Sequence, residues 1–418
     1  MHDFQYHGDS LFCEEVAIQK IAEAVGTPFY LYSRHTLESH FQAFDSAFAK
    51  VEHIICFSAK ANSNLAVLRV FTRLGSGVDV VSGGEIYRAV QGGVNPEKIV
   101  YSGVGKRADE IAYALENRIL MFNIESAQEL VAIDRIAGQL GTKAPVSLRV
   151  NPDVDPKTHP YISTGLKKNK FGINIQKSVD DYLLANTLPN TEVIGVSCHI
   201  GSQLTEVGPF VEAVQRMKDL VSRLRAEGIQ IRYLDLGGGL GITYNQEEPP
   251  HPREYAEALI KELPGMDCTL ILEPGRVIVG NAGVLVTRVL YTKEGNEKNF
   301  VIVDAAMNDL IRPSLYGSYH RIQPVQKNER IETVVDVVGP ICESGDFLAK
   351  ERKIQKAEPG ELLAVMGAGA YGFTMSSNYN SRPRIAEVMV NKDRFYVVRK
   401  REEYEDLIRG ESIPDFLA

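Results

Sequence analysis

Eight short apolar runs recur along the first two-thirds of the chain, and helix-like segments lie between them. The runs are rich in Val, Ile and Leu and do not alternate with polar residues, which is typical of parallel strands covered on both faces. Apolar residues at every third or fourth position predict helices between the runs, such as 64–74 before Gly75 and 210–227 before Gly228. The eight runs are 54–59, 77–82, 99–104, 119–124, 146–151, 193–199, 232–236 and 269–273.

Eight βα units with steady spacing predict an α/β fold, a closed (β/α)8 barrel of the TIM type. We place this barrel domain at residues 33–275. A doubly wound open sheet is the alternative, because it is built from the same kind of unit. The count of eight favours the barrel.

After Gly275 the pattern changes to strand-like runs with little helical sequence between them. This pattern predicts an antiparallel β domain, either a barrel or a sandwich. Near the start of the chain, 14–25 is predicted to be a helix stopped by a glycine, and 29–32 a strand. Because the α/β barrel already has eight strands, we expect the early strand to join the distant β domain, which then comprises 1–32 and 276–418. The later strand-like runs are 283–291, 299–304, 333–338, 361–366, 384–390 and 393–399.

Composition and charge exclude several classes of protein. The chain has 418 residues, too many for one ordinary core, so two domains are expected. Its net charge is −8 and it has no basic block, which argues against nucleic acid as a partner. No apolar run is long enough to cross a membrane, and the first residues lack the basic and apolar regions of a signal peptide. We therefore expect no membrane partner.

The five cysteines are odd in number, widely spread and without a C-x-x-C pair. This spacing indicates neither a disulfide framework nor a metal site, so we expect a reducing compartment, the cytoplasm. Most of these thiols are expected to be small buried apolar groups. They are Cys13, Cys56, Cys198, Cys268 and Cys342.

The segment 56–64 places a single lysine, Lys60, at the end of a predicted buried strand. A buried strand is a costly place for an ammonium group, and burial makes a lysine amine a better nucleophile. Such a lysine suits Schiff-base chemistry with an aldehyde. Alternatively, Lys60 has cleared the strand and points into solvent. The other strand ends favour the first interpretation.

Active sites of such barrels form at the carboxyl ends of the strands, and polar residues cluster there in this sequence. The glycine-rich loop 237–241 follows strand seven, where phosphate groups often bind through backbone N–H groups. A hydroxyl and a guanidinium lie close in sequence to other strand ends. The residues at these ends are Lys60, Asp79, Glu85, Arg149, His199, Ser202, Gly239, Glu273, Gly275 and Arg276.

A lysine at one end of the site and a phosphate cradle at the other fit pyridoxal 5′-phosphate. A barrel aldolase with a lysine Schiff base and a phosphorylated substrate also fits, but it does not explain the second domain. His199 is either a core histidine or a ring that stacks on the cofactor. Glu273 is either part of a barrel ion pair or the partner of the pyridine nitrogen, which would make the ring an electron sink suited to decarboxylation. Asp79, Glu85 and Arg149 are expected to support these groups.

Several longer motifs together carry a resemblance to a known family. The chain resembles the alanine-racemase-like group of pyridoxal-phosphate enzymes, and within it the family of the diaminopimelate decarboxylases. One departure is Phe57-Ser58, where the family often has Tyr-Ala before the lysine. The motifs are FSAKANSN, GVDVVSGGE, NKFGI (169–173), SCHIGSQ, DLGGGLGI, EPGR, VDAAMNDLIRPSLYGSYH (301–320), GPICESGDFLAK (339–350) and GAGAYGFTMSSNYNSRPR (367–384).

The resemblance implies a role for each matching residue. Lys60 would form the Schiff base with the cofactor, His199 would stack on its ring, and Glu273 would pair with its nitrogen. Cys342 is implied to be catalytic and to reach, with Glu343, across a homodimer interface into a shared active site. The implied phosphate-binding residues are Ser202, Gly239, Gly275, Arg276 and Tyr371. The implied substrate-binding residues are Arg276, Arg312, Tyr316, Glu343 and Tyr371.

The resemblance further implies decarboxylation of meso-2,6-diaminopimelate to L-lysine and CO2 in lysine biosynthesis. Arg312 favours this substrate, because a guanidinium grips the carboxylate that stays, whereas ornithine would need an acid there. Decarboxylases of carboxynorspermidine, ornithine or arginine on the same fold are the alternatives. Glu273 argues against a racemase. The β domain and the GPICESGD segment argue against a non-catalytic cofactor-binding barrel.

Overall fold

The computed structural model describes residues 2–155 and 170–417. The chain divides into two compact units. We call Leu37–Val279 the barrel unit, and Met1–Thr36 together with Gly280–Ala418 the sheet unit. The described part of the chain has no helix long and apolar enough to cross a membrane.

The chain begins with a small antiparallel sheet of three strands. The first helix starts later than predicted, because Val16–Ala17 pair with the preceding strand instead. It ends at Gly26, whose φ of +73° only glycine adopts easily. The elements are β1 (Phe4–His7), β2 (Ser10–Cys13), β3 (Val16–Ala17), α1 (Ile18–Val25), β4 (Phe29–Ser33) and α2 (Arg34–Ala47).

The barrel unit contains eight parallel strands that close on themselves, as predicted. Their order around the barrel is the order in the chain, and the last strand pairs with the first, so the open sheet is excluded. The strands are β5 (His53–Ser58), β6 (Gly77–Val80), β7 (Ile99–Tyr101), β8 (Met121–Ile124), β9 (Ala144–Asn151), β11 (Thr191–Ser197), β12 (Tyr233–Asp235) and β13 (Thr269–Leu272), while β10 (Ile173–Asn174) pairs only with β9.

The helices of the barrel unit start where the sequence supplies a cap. Asn64 accepts a hydrogen bond from the N–H of Ala66, and Ser82 accepts one from Glu85, so each satisfies a free donor of the first turn. Gly75 and Gly228 follow two of the helices with positive φ, as expected. The helices are α3 (Leu65–Arg73), α4 (Gly83–Gln91), α5 (Ala108–Glu116), α6 (Ala127–Gln139), α7 (Ser178–Thr187), α8 (Gly208–Ala226), α9 (Pro252–Ile260) and α10 (Arg276–Val279).

The rest of the sheet unit is a large sheet that β4 joins from the start of the chain, as predicted. β4 pairs on one side with the strand Gly283–Glu294 and on the other with the strand Ala386–Asn391. The elements are β14 (Gly283–Glu294), β15 (Asn299–Val303), α11 (Arg312–Tyr316), β16 (Ile322–Pro324), β17 (Glu332–Val338), β18 (Phe347–Gln355), β19 (Leu362–Val365), β20 (Ala386–Asn391), β21 (Arg394–Arg399) and α12 (Tyr404–Leu407).

Most strand pairs of the large sheet are antiparallel, as predicted, but β15 pairs with β17 and β4 pairs with β20 in parallel. In both cases the chain travels far between the two strands, so no hairpin sets their relative direction. The prediction also missed β18. Its sequence FLAKERKIQ has four charged residues and one partly solvated face, so it shows no continuous apolar run.

Candidate active site

Lys60 lies directly after β5, in the short 3-10 turn Ala59–Ala61. Its Nζ donates a hydrogen bond to Oδ2 of Asp79 on the neighbouring strand β6, at 2.6 Å. The Ser58 hydroxyl lies 3.0 Å from the same carboxylate oxygen and 3.0 Å from the Glu273 carbonyl oxygen. Lys60 is less buried than the sequence predicts, because 36% of its side chain is exposed while Asp79 is fully buried. A buried anion therefore holds the amine at the mouth of the barrel.

A layer of buried polar side chains lies at the carboxyl ends of all eight strands. Nearer the amino ends, the cluster of Cys56, Val100, Met121, Ile194 and Ile271 is apolar. The change from apolar to polar side chains marks the floor of the site, because burying a polar group costs free energy unless a protein group or a ligand bonds to it. The polar layer consists of Ser58, Asp79, Ser102, Asn123, Arg149, Ser197, Asp235 and Glu273.

Two of these carboxyl groups, Asp235 and Glu273, are in hydrogen-bond contact with each other. Burial raises the pKa of Asp235 to about 6, although hydrogen bonds favour its ionised form. Burial, followed by the charges of Asp235 and Asp79, raises the pKa of Glu273 well above its ordinary value. Glu273 Oε1 is buried and has no hydrogen-bond partner among the described residues. One side of this carboxyl group is therefore open to a donor from a ligand.

His199 follows β11 and accepts a hydrogen bond at Nδ1 from the N–H of Gly238, at 3.3 Å. Burial, together with the charges of Arg149 and Lys60, lowers the pKa of His199 well below 6.5. The ring is therefore neutral, with its proton on Nε2. A neutral imidazole can lie against a flat aromatic ligand without placing a second charge in the site.

The glycine-rich loop after β12 is joined to the loop after β11. The N–H of Leu204 donates to the carbonyl of Gly239, and the N–H of Gly241 donates to the carbonyl of Leu204, each at 2.9 Å. Gly239 has a φ of +121°, and a Cβ there would lie 2.5 Å from the Gly201 carbonyl oxygen. The loop therefore requires glycine, and a backbone without side chains at Gly239 lets an anion approach closely.

Arg276 supplies positive charge beside this loop. Its Nη2 donates to the Ser202 hydroxyl at 3.0 Å and its Nη1 donates to the Tyr244 hydroxyl at 2.8 Å. Gly275, just before it, packs so closely that a Cβ would lie 3.1 Å from Cβ of both Ser58 and Ala61. The structure thus brings together the predicted phosphate-binding residues of the barrel unit.

Two of the three predicted supporting residues, Glu85 and Arg149, bond to protein groups away from Lys60. Glu85 Oε2 accepts a hydrogen bond from the N–H of Val81 at 2.8 Å, and Arg149 Nη1 donates to Glu125 Oε1 at 2.8 Å. These contacts fix the loop after β6 and join β9 to the loop after β8. Asn169, the first residue of the NKFGI motif, lies outside the described residues.

The remaining predicted site residues belong to the sheet unit. Arg312 and Tyr316 lie on α11. A nitrogen of the Arg312 guanidinium, Nη1, lies 2.9 Å from Nε2 of the fully buried His320. His320 Nδ1 lies 2.9 Å from the Met366 carbonyl oxygen and donates to it, so Nε2 accepts from Arg312.

Cys342 and Glu343 lie on the exposed loop 339–346 of the same unit. The buried carboxylate of Asp346 closes this loop, because it accepts hydrogen bonds from the N–H groups of Ile341 and Met307, each at 2.7 Å. The N–H of Cys342 also donates to Oδ1 of Asn380, at 2.8 Å. Three other cysteines, Cys13, Cys56 and Cys198, are buried, as expected of small apolar groups.

Tyr371 has a φ of +55°, a left-handed conformation that is uncommon for a residue other than glycine. The adjacent Gly372 allows close packing, since a Cβ there would lie 2.5 Å from the Ala368 carbonyl oxygen. Backbone strain of this kind persists where surrounding structure enforces it, often at functional sites.

Sequence reasoning missed several residues that shape these clusters. Asp235 had a recognisable signal, because it is an acid within the apolar run 232–236, as Asp79 is within 77–82. Neighbouring sequence offers no such signal for Tyr244, His320 or Asp346, whose partners are distant in the chain.

The barrel residues fit a phosphorylated pyridine aldehyde. Lys60 offers an amine, Glu273 an open carboxyl oxygen, and Gly239 a backbone cradle. The chemistry of this set of groups matches the aldehyde, ring nitrogen and phosphate of pyridoxal 5′-phosphate.

Comparisons with known proteins agree with this assignment. Residues 34–280 match the family described as "Pyridoxal-dependent decarboxylase, pyridoxal binding domain". The diaminopimelate decarboxylase of Pseudomonas aeruginosa is 54% identical over 99% of both chains.

Two solved structures are also similar over nearly their whole length. One is diaminopimelate decarboxylase from Helicobacter pylori complexed with L-lysine, with a TM-score of 0.91, 45% identity, and coverage of 94% of this chain and 98% of that one. The other is diaminopimelate decarboxylase from M. jannaschii in co-complex with L-lysine, with a TM-score of 0.95, 38% identity and full coverage of both chains. The family match and the full-length similarity to these relatives show that the chain belongs to the diaminopimelate decarboxylase family of pyridoxal-dependent enzymes.

Proposed function

We propose that this chain converts meso-2,6-diaminopimelate to L-lysine and CO2, with pyridoxal 5′-phosphate held at the mouth of the barrel unit. One observation carries the proposal. The Lys60 amine and the open oxygen of Glu273 follow β5 and β13, which are paired neighbours in the barrel. These two groups suit the two reactive ends of a pyridoxal ring, its aldehyde and its nitrogen.

When bound, pyridoxal 5′-phosphate supplies an electron sink for the pair left behind by CO2. Lys60 would hold the aldehyde carbon, and Asp79 orients the Lys60 amine by accepting its hydrogen bond. Glu273 would accept a hydrogen bond from the ring nitrogen and stabilise its positive charge. Neutral His199 would lie against the ring face. Burial of these polar groups strengthens their electrostatic effect, because little water screens them.

The phosphate would rest on the loop that contains Gly239 and next to Gly275. The Ser202 hydroxyl and the Arg276 guanidinium lie 3.0 Å apart and would both donate to it. Tyr371, by resemblance, would also contact the phosphate and the substrate. These contacts anchor the ring while the substrate changes.

We assign the substrate to residues of the sheet unit together with Arg276. Arg312 would grip the carboxylate that is retained, with Tyr316 beside it on the same helix. Glu343 would accept a hydrogen bond from the distal amino group of the substrate, and Cys342 would return a proton to the reacting carbon. The exposure of Cys342 and Glu343 supports a role in contact with another molecule.

We further propose that the chain acts in the cytoplasm as a homodimer with shared active sites. In this proposal residues 33–275 bind the cofactor, and residues 1–32 and 276–418 contribute to the dimer and to substrate binding. Resemblance to the family supports the dimer, and five cysteines without a paired spacing support a reducing compartment.

A CO2-release assay tests the proposed reaction. The holoenzyme should act on meso-diaminopimelate and not on ornithine, arginine, lysine or carboxynorspermidine. Comparable turnover of ornithine and diaminopimelate would overturn the substrate assignment and favour a general basic amino-acid decarboxylase.

A further inference from the structure

Asp235 is a buried acid of the polar layer that has no role in the chemistry assigned so far. It ends β12, next to β13, and it is 1% exposed. Its contact with Glu273 makes it the neighbour, on the protein side, of the carboxyl group assigned to the ring nitrogen. Two carboxyl groups in contact cannot both ionise easily, so such a pair shares a proton.

Hydrogen bonds decide which of the two acids carries the charge. Asp235 Oδ1 accepts from the N–H of Gly237 and Oδ2 accepts from the Asn123 amide, each at 2.8 Å. Asn123 is itself held by the Ser102 hydroxyl, at 3.1 Å from its Nδ2. Glu273 receives no such donors from the part of the chain that the structure describes, and its Oε1 is buried and open. Donors stabilise an anion, so the charge belongs on Asp235 and the shared proton on Glu273.

We propose that Asp235 is a positioning residue whose fixed negative charge keeps the Glu273 carboxyl group strongly basic. Glu273 can then share its proton with the pyridine nitrogen, so that the bound ring stays protonated. The inference rests on the proposed pairing of Glu273 with that nitrogen. A single acid would lose part of this basicity, because one carboxylate offers less negative potential than two.

Other charged or titratable groups surround this pair and limit what the pH dependence can report. They belong to β5, β6, β9 and β11 or to the turns that follow them. These groups are Lys60, Asp79, Cys56, Cys198, Arg149 and His199. The two hydrogen bonds that Asp235 accepts come instead from the Asn123 amide and the N–H of Gly237.

The test measures ring protonation directly, with the holoenzyme reconstituted with pyridoxal 5′-phosphate labelled with ¹⁵N at the ring nitrogen. The nitrogen chemical shift distinguishes the protonated from the neutral ring. In the parent enzyme at pH 8 we expect the protonated ring. Asp235→Asn should lower the protonated fraction and reduce kcat roughly 10- to 100-fold, with little change in KM for diaminopimelate. Asn123→Leu, which removes one donor, should give a smaller shift in the same direction.

Asp235→Asn should be tolerated by the fold. Its carbonyl oxygen can accept from Gly237, and Asn123 can flip to present its Oδ1, which is buried without a partner among the described residues. Asp134→Asn is the matched control, because Asp134 also accepts a backbone N–H in the barrel unit, from Asn190 at 2.7 Å. The control should leave the ring nitrogen unchanged.

Glu273→Gln separates this inference from the proposed function. If Glu273→Gln leaves the ring protonated, the pairing of Glu273 with the nitrogen is wrong. If Glu273→Gln deprotonates the ring but Asp235→Asn does not, the pairing stands and the inference about Asp235 is overturned.

If Asp235→Asn fails to bind cofactor, unfolding of the apo-protein still tests the shared proton. Between pH 4 and 6 the native pair binds more protons than the unfolded chain, so the stability of the parent must fall as pH rises. Asp235→Asn should flatten this dependence. An unchanged slope would refute the shared proton.

Discussion

The polar layer of the barrel unit and the loop 339–346 of the sheet unit differ in how far the protein itself satisfies their buried carboxyl groups. In the barrel unit, the buried carboxyl groups of Asp79, Asp235 and Glu273 lie close together, and two of their oxygens are open among the described residues. In the sheet unit, both oxygens of Asp346 are used by backbone N–H groups. The first cluster is incomplete without a ligand, whereas the second is complete and holds exposed side chains in place.

The difference indicates where stability and function oppose each other. Buried, unpaired carboxyl groups destabilise a folded protein unless a ligand or proton compensates them. A buried carboxylate with two backbone donors stabilises its loop. Removing the carboxylate of Glu273 from the barrel unit should therefore harm activity and help stability, whereas removing that of Asp346 from the sheet unit should harm both.

The largest effect is expected for Lys60→Ala. Loss of the amine should abolish the visible absorbance of bound cofactor and all CO2 release, because no other described group at the strand ends matches its position. Absorbance spectra and the CO2 assay measure this. Lys98→Ala is the control, because the Lys98 amine donates to the Gly75 carbonyl, at 2.9 Å, in a surface turn away from the strand ends. Retained absorbance in Lys60→Ala would contradict the assignment.

Glu273→Gln should show the two effects in opposite directions. We expect kcat to fall about 100-fold, because the ring nitrogen loses its anionic partner. The apo-protein should become more stable at pH 8, since the raised pKa of Glu273 means that the native state retains a proton that the unfolded state has lost.

The sign of this stability change depends on pH. Below the unfolded pKa both forms are neutral, so the gain should vanish near pH 4 and grow as pH rises. Urea unfolding of both apo-proteins at pH 4.5 and 8 measures it. A variant less stable than the parent at pH 8 would show that the Glu273 charge is compensated in the apo-protein.

Arg312→Ala should raise KM for diaminopimelate about 100-fold while leaving cofactor absorbance unchanged, because a buried guanidinium–carboxylate pair is lost. Arg312→Lys should recover only part of this, since an ammonium cannot make the two parallel hydrogen bonds. Binding of L-lysine and of cadaverine separates the causes. Only L-lysine, which has the retained carboxylate, should bind more weakly to the variants.

The smallest effect is expected for Asp346→Asn. The amide can accept only one of the two backbone hydrogen bonds, so loop 339–346 should loosen and kcat should fall about tenfold, with unchanged cofactor absorbance. Asp336→Asn is the control. Asp336 is also buried in the sheet unit and accepts the N–H of Glu351 at 2.6 Å, away from the loop. Equal losses in both variants would mean that Asp346 acts only on stability.

Much of the site was predictable because it follows from topology. Once the apolar runs indicate eight parallel strands, their ends must meet at one rim, and Lys60, Asp79 and Glu273 meet there. The directions of the strand pairs β4–β20 and β15–β17 were not predictable, since no local turn encodes them. Nor was the exposure of Lys60, which depends on the turn that follows β5.

The sequence by itself determined the number and order of the barrel strands and the residues at their ends, because apolar periodicity is local and the barrel closes in only one way. The tertiary structure decided which hydrogen-bond donors reach Asp235 and which ones fix the loop 339–346. The Asn123 amide donates to Asp235 and stabilises its negative charge, and the N–H of Met307 donates to Asp346 and helps to fix its loop. These partners lie far away in the chain, and only folding brings their donors within hydrogen-bond distance.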